Sequence, residues 1–507
     1  MFSPASRRAF LQSAAGVAAA ASLSQLDFLG QLPRATAQDT KLDPKIVRLN
    51  PEIEPLVQLI EESPRNKLLE EVAARIKSGT TYREVLAALL LAGVRNIQPR
   101  PSVGFKFHAV LVVNSAHLAA MSSPDQHRWL PIFWALDEFK GSQARDIQEG
   151  NWTMGPVSEE RVPPAHLAKQ QFIEAMDQWD EEKADAAVAA LARTASSNEL
   201  FDLFCRYGAR DFRSIGHKAI YVANSWRTLH CIGWQHAEPV LRSLAYALLN
   251  HEGGGNPAQN DFEADRPMRD NLSRVKKIRP EWQEGKVDEQ ATKDLLATIY
   301  GGSPSDMCEL VVELLNKGVA PQSIWDGLLC GAGELLMRQP GIVGIHTLTS
   351  SNALHYAYQT AGDDETRQLM LLQNAAFLPM FRQGMVSRGK IGDQKLLELQ
   401  PTESTAEVSV EDIFAKVSSD RMDAARLTLG YAMRHEDPKA FIDHARTLIF
   451  LKGNDSHDYK FSSAVLEDYA HVSRPWRDRF LATSVFNLTG SGERSNPLVE
   501  RTRAALA

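Results

Sequence analysis

Residues 344–357 read GIHTLTSSNALHYA, and residues 106–119 read KFHAVLVVNSAHLA. In both stretches an Asn lies six residues after the first His, and a second His lies nine residues after it. The matched positions are His108, Asn114 and His117 in one stretch, and His346, Asn352 and His355 in the other. Apolar residues recur at three- and four-residue intervals without sustained alternation, which is typical of α-helices. The two stretches therefore predict two copies of one helical unit.

Two further segments keep the same order with slightly longer spacing. His217 is followed by Asn224 and Arg227, at seven and ten residues. The matching positions of the last segment are His457, Ala464 and Glu467. Each leading His also has an acidic residue upstream in an apolar helical stretch. These acidic residues are Glu84, Asp202, Asp326 and Asp443.

The pattern predicts an all-α fold, since helical spacing extends over most of the chain and Gly and Pro fall between the periodic stretches. We expect four His-containing helical pairs, arranged as two pseudo-equivalent halves in a compact α/α array. The halves span residues 38–250 and 291–507. The polar, glycine-containing stretch 251–290 is the predicted linker or excursion between them.

The N-terminus has the order of a secretory signal. Arg7 and Arg8 precede Phe10 and Leu11, an Ala-rich run follows, and residues 35–37 supply a small-x-small site. The paired arginines resemble a twin-arginine export signal over residues 1–37. This predicts that the protein uses the twin-arginine export machinery, crosses the membrane already folded and resides in the periplasm or otherwise outside the cytoplasm. An ordinary signal peptide or a short amphipathic helix is the alternative.

Composition and absent motifs narrow the function. The 56 basic and 63 acidic residues give a net charge of -7 without a Lys/Arg block, which argues against nucleic-acid binding. No run after the signal approaches the roughly 20 apolar residues of a membrane span. The sequence lacks HExxH, a phosphate-binding GxxxxGK[ST], GxSxG and a GxGxxG after a strand, so no nucleotide cofactor is expected. The four cysteines form neither CxxC nor CxxCH, so covalent c-type haem is not expected.

The repeated histidines predict a metal site. If the helical pairs close around a common axis, His108, His217, His346 and His457 converge, and the upstream Glu84, Asp202, Asp326 and Asp443 serve as ligands or orient the imidazoles. Iron, copper, zinc and manganese are not distinguished by this ligand set. The alternative is that each His caps a helix and recurs only because the halves are duplicated.

The later repeat positions are candidates for catalysis. His117 and His355 are candidates for proton transfer, because histidine in general titrates near neutrality. Arg227 opposite Glu467 could clamp an anionic group of a polar substrate, although a mutual salt bridge is the alternative. Nine residues turn a helix through half a circle, so His108 and His117 cannot both face one site along a single continuous helix.

The segments GIHTLTSSNALHYAYQTAGDDETRQLMLL and GHKAIYVANSWRTL resemble the His-led helices of the questin oxidase-like proteins. That helical family is named for a fungal enzyme that opens an anthraquinone ring by a Baeyer–Villiger type oxygenation. The resemblance covers motif cores, and His346 and His217 match most directly. It implies an oxidative reaction on a ring or carbonyl compound, whereas His117 and Glu467 have no place in the family's pattern.

Together these observations predict an extracytoplasmic, metal-dependent oxidoreductase with a small organic substrate in a His-lined helical cavity. The alternative is a non-catalytic helical-repeat protein that binds a polypeptide or glycan and uses its histidines structurally. A bound stoichiometric metal favours the enzyme, and an open superhelix with the four histidines far apart favours the scaffold.

Overall fold

A computed structural model describes residues 43–100, 106–252, 254–402 and 408–507. Within these ranges the chain forms 22 α-helices and no strand, which confirms the predicted all-α class. The first ten helices are α1 (Glu54–Glu62), α2 (Arg65–Lys77), α3 (Tyr82–Asn96), α4 (His108–Met121), α5 (Leu130–Glu149), α6 (Ala165–Gln178), α7 (Glu181–Thr194), α8 (Ser197–Gly208), α9 (His217–Ile232) and α10 (Ala237–Leu249). The other twelve are α11 (Arg266–Arg274), α12 (Glu289–Gly301), α13 (Pro304–Asn316), α14 (Pro321–Arg338), α15 (Ile342–Thr360), α16 (Asp364–Val386), α17 (Val410–Val417), α18 (Arg421–Arg434), α19 (Lys439–Lys452), α20 (Ser456–Asp468), α21 (Arg474–Ser484) and α22 (Leu498–Leu506).

The helices begin where the sequence supplies capping side chains. Thr81 and Glu84 form a reciprocal capping box at the start of α3, and Asp455 and Asp458 do the same at the start of α20. Each box satisfies amide groups that have no acceptor in the first turn of a helix. These local signals fix where helices start, whereas the apolar faces determine how the helices pack.

Four helices, α4, α9, α15 and α20, close into a ring in which each packs against the next and α20 returns to α4. The N-terminal turns of the four helices contact one another at one end of the ring. Residues two to three turns later also contact one another, so the four helices run parallel. Neighbouring helices cover the outside of this bundle. Among them, α5 packs against α4, and α14 and α16 pack against α15.

The bundle combines both predicted halves, since α4 and α9 come from residues 38–250 and α15 and α20 from residues 291–507. Lys45–Ala507 forms one compact unit, and the predicted linker 251–290 contributes α11, which packs against α16. The predicted signal peptide, residues 1–37, lies outside the described residues. No helix in the described ranges has the length and apolar character needed to span a membrane.

Candidate metal centre

The four leading histidines lie at the same end of the bundle. His108 and His217 are the first residues of α4 and α9, His457 is the second residue of α20, and His346 lies in the second turn of α15. Because the four helices run parallel in a closed ring, their N-terminal ends bring these side chains together. The repeat order in the sequence thus becomes a spatial cluster, here called the histidine quartet.

The imidazoles of the quartet are in direct contact. Nε2 of His217 lies 2.8 Å from Nε2 of His108 and 3.0 Å from Nε2 of His346. The ring of His457 lies against those of His108 and His346, with centroids 4.7 and 5.3 Å away. The side-chain nitrogens of His108, His217 and His346 lie within 4.8 Å of one another, so this buried group could hold a metal ion.

Hydrogen bonds on the far side of the rings fix the tautomers. Nδ1 of His217 donates to the Ser214 carbonyl at 2.6 Å, and Nδ1 of His346 donates to the Ile342 carbonyl at 2.6 Å. Nδ1 of His457 donates to Oδ1 of Asp455 at 2.5 Å. These oxygens only accept, so Nδ1 of each neutral ring carries the hydrogen and Nε2 carries a lone pair. An imidazole that ligates a metal is oriented in this way.

The Nε2 lone pairs of His217 and His346 face each other, an arrangement that could accept a cation. Nε2 of His217 and Nε2 of His346 cannot donate to each other, and Nε2 of His457 is buried with no hydrogen-bond partner in the described part of the chain. Burial is the main reason that the pKa of His108, His217 and His346 lies well below the usual range, and nearby positive charge adds to this shift. The low pKa disfavours protonation of these rings.

Lys460 is a further member of this environment that sequence reasoning missed. Its side chain is buried, its Nζ has no hydrogen-bond partner in the described ranges, and burial lowers its pKa to about 7. Its charge contributes to lowering the pKa of the three closest histidines. The available sequence signal was its position three residues after His457, which places both side chains on one helix face.

The turn before α9 is backbone-strained. Ser214, Ile215 and Gly216 have φ values of 56°, 46° and 80°, three consecutive residues in the left-handed region. This conformation is unfavourable for Ser and especially for the β-branched Ile. It aims the Ser214 carbonyl at His217, and a Cβ on Gly216 would lie 2.3 Å from Oγ of Ser350 on α15. The turn therefore requires glycine where α9 and α15 approach most closely.

The structure does not bring the four upstream carboxylates to the quartet. Glu84 is occupied in the capping box of α3, and Asp443 pairs with Lys439 on the exposed face of α19. Asp202 accepts from the amide of Gly362 and lines a cavity of about 870 Å³ to which no quartet residue contributes.

The fourth carboxylate, Asp326, is buried and accepts from the amide and hydroxyl of Ser473. The acidic residues thus recur because they serve helix ends and helix contacts. The groups that orient the histidines are the Ser214 and Ile342 carbonyls and the Asp455 carboxylate.

The predicted pair Arg227 and Glu467 meets across the bundle. Nη2 of Arg227 lies 2.8 Å from Oε2 of Glu467, which also accepts from Nδ2 of Asn352 at 2.8 Å. The guanidinium lies 4.1 Å from the ring centre of Tyr356. Glu467 therefore neutralises Arg227, as the salt-bridge alternative anticipated, and the predicted anion clamp already has an anion.

His117 and His355 lie away from the quartet, nine residues further along α4 and α15, or about 13 Å at 1.5 Å per residue. His117 hydrogen-bonds to the Tyr82 hydroxyl at 3.0 Å and to the half-buried thiol of Cys231 at 3.1 Å. His355 packs on Trp325, and burial lowers its pKa to about 3. Neither imidazole reaches the histidine quartet.

Comparison of the chain with known protein families, curated proteins and solved structures finds no match.

Proposed function

We propose that this protein is an extracytoplasmic, metal-dependent oxidoreductase that acts on a small organic ring or carbonyl compound. The observation that carries the proposal is the meeting of histidine Nε2 lone pairs in a buried site. Imidazole ligands suit iron, copper and zinc, and an oxidative reaction requires a redox-active member of that set. The likeness of the His346 and His217 segments to questin oxidase-like proteins supports a ring or carbonyl substrate.

In this proposal the chain supplies a rigid, dry ligand set. Asp455 and the Ser214 and Ile342 carbonyls hold the imidazoles in the ligating tautomer, and the surrounding helices exclude water. Lys460 adds positive charge or, when deprotonated, a free amine beside the site. A bound metal would supply Lewis-acid and one-electron chemistry. His117 and His355 lie further along the bundle, where Tyr82 and Cys231 hold the first and Trp325 packs on the second, so neither is assigned a role at the metal.

The contact between the four histidines weighs against the scaffold alternative. A helical-repeat scaffold presents an open concave surface, in which each repeat contacts only its neighbours. Here the first and fourth His-led helices pack together, and the ring of His108 lies against that of His457. A closed polar site inside a bundle is typical of cofactor binding.

Export by the twin-arginine route is part of the proposal and rests on the N-terminal pattern. Folded export suits a protein that acquires its metal before it leaves the cytoplasm. Replacement of Arg7 and Arg8 by Lys is expected to retain the protein in the cytoplasm of its host. Fractionation that finds this variant outside the cytoplasm at the wild-type level would contradict the proposed route.

Metal analysis by mass spectrometry tests the function. We expect about one iron or copper ion per chain, and its loss in the double variant H217A/H346A. The matched control is H166A/H230A, which removes two exposed histidines and is expected to keep the metal. Circular dichroism verifies that all three proteins are folded.

Two results would overturn the function. Tight binding of zinc alone would contradict the oxidoreductase, because zinc has no redox chemistry. Absence of metal from folded wild-type protein, even after loading with each of the four metals, would contradict the metal site itself.

A further inference from the structure

A second cavity lies in the groove between α4 and α20, two of the four His-led helices. It has a volume of about 300 Å³, and Arg446 and Phe450 of α19 line it together with residues of α4 and α20. On α20 it begins at Ser462, five residues after His457, or about 8 Å along the helix. The cavity therefore lies beside the bundle, beyond the quartet and towards the C-terminal ends of the His-led helices.

Arg446 on α19 is the unpaired charge of this cavity. The residue is half-buried, and within the described ranges its guanidinium makes no hydrogen bond and no ion pair. Burial lowers its pKa, yet the guanidinium stays charged at neutral pH. The charge of Asp443, three residues earlier on α19, opposes this shift, but its carboxylate contacts Lys439 and not the guanidinium. A guanidinium that lines a cavity and has no protein acceptor is free to form charge-assisted hydrogen bonds with a bound anion.

The other charged residue of the lining is already neutralised. Glu467 lines the cavity, but its Oε2 accepts from Arg227 and Asn352. His471, also in the lining, packs its ring 4.8 Å from that of His355. Glu467 and Arg227 cancel, so Arg446 supplies the net charge, and His471 connects the cavity to one of the predicted proton-transfer residues.

The rest of the lining fits a small organic group. Leu118, Phe450 and Leu466 form apolar walls, and Ser462 and Ser463 add hydroxyl groups. The volume is at the lower end of the range for small-molecule sites. An occupant with one ring or a short chain and one anionic group would satisfy both the walls and Arg446.

We propose that this cavity binds the carboxylate of a small organic acid, with Arg446 as the group that recognises it. The inference deepens the proposed function, on which it rests, because it names an anionic acid as the substrate class. The clamp is Arg446, whose guanidinium forms no hydrogen bond or ion pair in the described ranges, and not Arg227, which is paired with Glu467.

Calorimetric titration of the full chain with benzoate, and with its neutral isostere benzamide, tests the proposal. We expect saturable benzoate binding and at least about tenfold weaker benzamide binding. The variant R446Q is expected to lose at least about tenfold in benzoate affinity, whereas R446K, which keeps the charge, retains the preference for the anion. R494Q, at an exposed arginine outside the cavity, is the matched control and is expected to bind as wild type.

The proposal is wrong if neither probe saturates, if both bind equally, or if R446Q binds benzoate like the wild type. If R446Q does not fold, S463F provides the test by filling the cavity, and unchanged benzoate binding by that variant would be equally decisive. Repeating the titration with chelator-treated protein and with H217A/H346A separates the two proposals. If these two metal-free proteins bind benzoate, the result supports anion binding in the cavity even if the metal-site proposal is wrong.

Discussion

At the residue scale, Asp455 joins two functions at the start of α20. Its carboxylate accepts from the amide of His457 at 2.7 Å and from Nδ1 of the same residue at 2.5 Å. The hydrogen bond from His457 lowers the pKa of Asp455 to about 2, so the acceptor is ionised at neutral pH. One side chain thus caps a helix and selects the tautomer of a quartet histidine.

We predict that D455A weakens metal binding by about 10- to 100-fold, the usual cost of losing the group that orients a ligating His. It should also destabilise the fold by about 1 kcal/mol through the lost cap. Asp420 caps α18 in the same way but contacts no histidine, so D420A is the control. Equal metal affinities of the two variants, measured by competition with a chelating dye, would refute the orienting role.

Asp468, at the end of α20, makes a pH-dependent contribution. It is fully buried, Oδ1 accepts from Asn352, and Oδ2 has no partner in the described ranges. Burial raises its pKa well above the usual range, so the native state holds a proton that the unfolded chain releases. The stability that this proton provides is fully present below the unfolded pKa and is lost as pH rises through the native pKa.

We predict that D468N is more stable than the wild type at pH 8 and close to it at pH 3. The gain is about 1.4 kcal/mol for each unit by which the native pKa exceeds the unfolded one. Urea unfolding across this pH range measures the difference. D393N, at an exposed carboxylate, controls for loss of charge. If the extra stability of D468N over the wild type decreases as pH rises, the assigned role of Asp468 is wrong.

At the element scale, the strained turn of Ser214, Ile215 and Gly216 positions α9 against α15. We predict that G216A destabilises the protein by about 2 kcal/mol or more, because positive φ strain and the collision with Ser350 add together. Metal affinity should fall as well, since the turn supplies the carbonyl that orients His217. Chemical denaturation and metal titration measure the two effects.

Gly318 provides the control for this turn. Its φ of +83° matches the +80° of Gly216, but a Cβ there would approach no atom closer than 3.9 Å. G318A should therefore show only the strain, about 1 kcal/mol, and unchanged metal affinity. If the two variants were equally stable and bound metal equally, the close approach of α9 and α15 would have no energetic role.

At the scale of the whole molecule, the quartet links the two predicted halves. His108 and His217 come from residues 38–250, and His346 and His457 from residues 291–507. A metal that binds only the folded state stabilises everything that must be folded to assemble its ligands. We predict that metal slows amide hydrogen exchange in α4, α9, α15 and α20 together, and leaves the peripheral α22 unchanged. Protection confined to one half would show that the quartet does not act as a unit.

The sequence alone determined the helical class and the identity of the four quartet histidines. Apolar spacing is a local property, and the histidines recur in similar sequence segments, so both can be recognised along the chain. The sequence also anticipated the Arg227–Glu467 pair, because equivalent positions of two repeats carry opposite charges. It did not identify Lys460, the strained turn or the unpaired Arg446.

Tertiary structure decided the rest, because it depends on which helices become neighbours. Only ring closure brings α20 back to α4 and turns four separate histidines into one site. The upstream carboxylates recur as regularly as the histidines, yet Glu84 and Asp443 serve helix ends or surfaces. Whether a repeated polar residue forms a site or caps a helix depends on the direction of its side chain in the packed structure, which spacing along the chain does not encode.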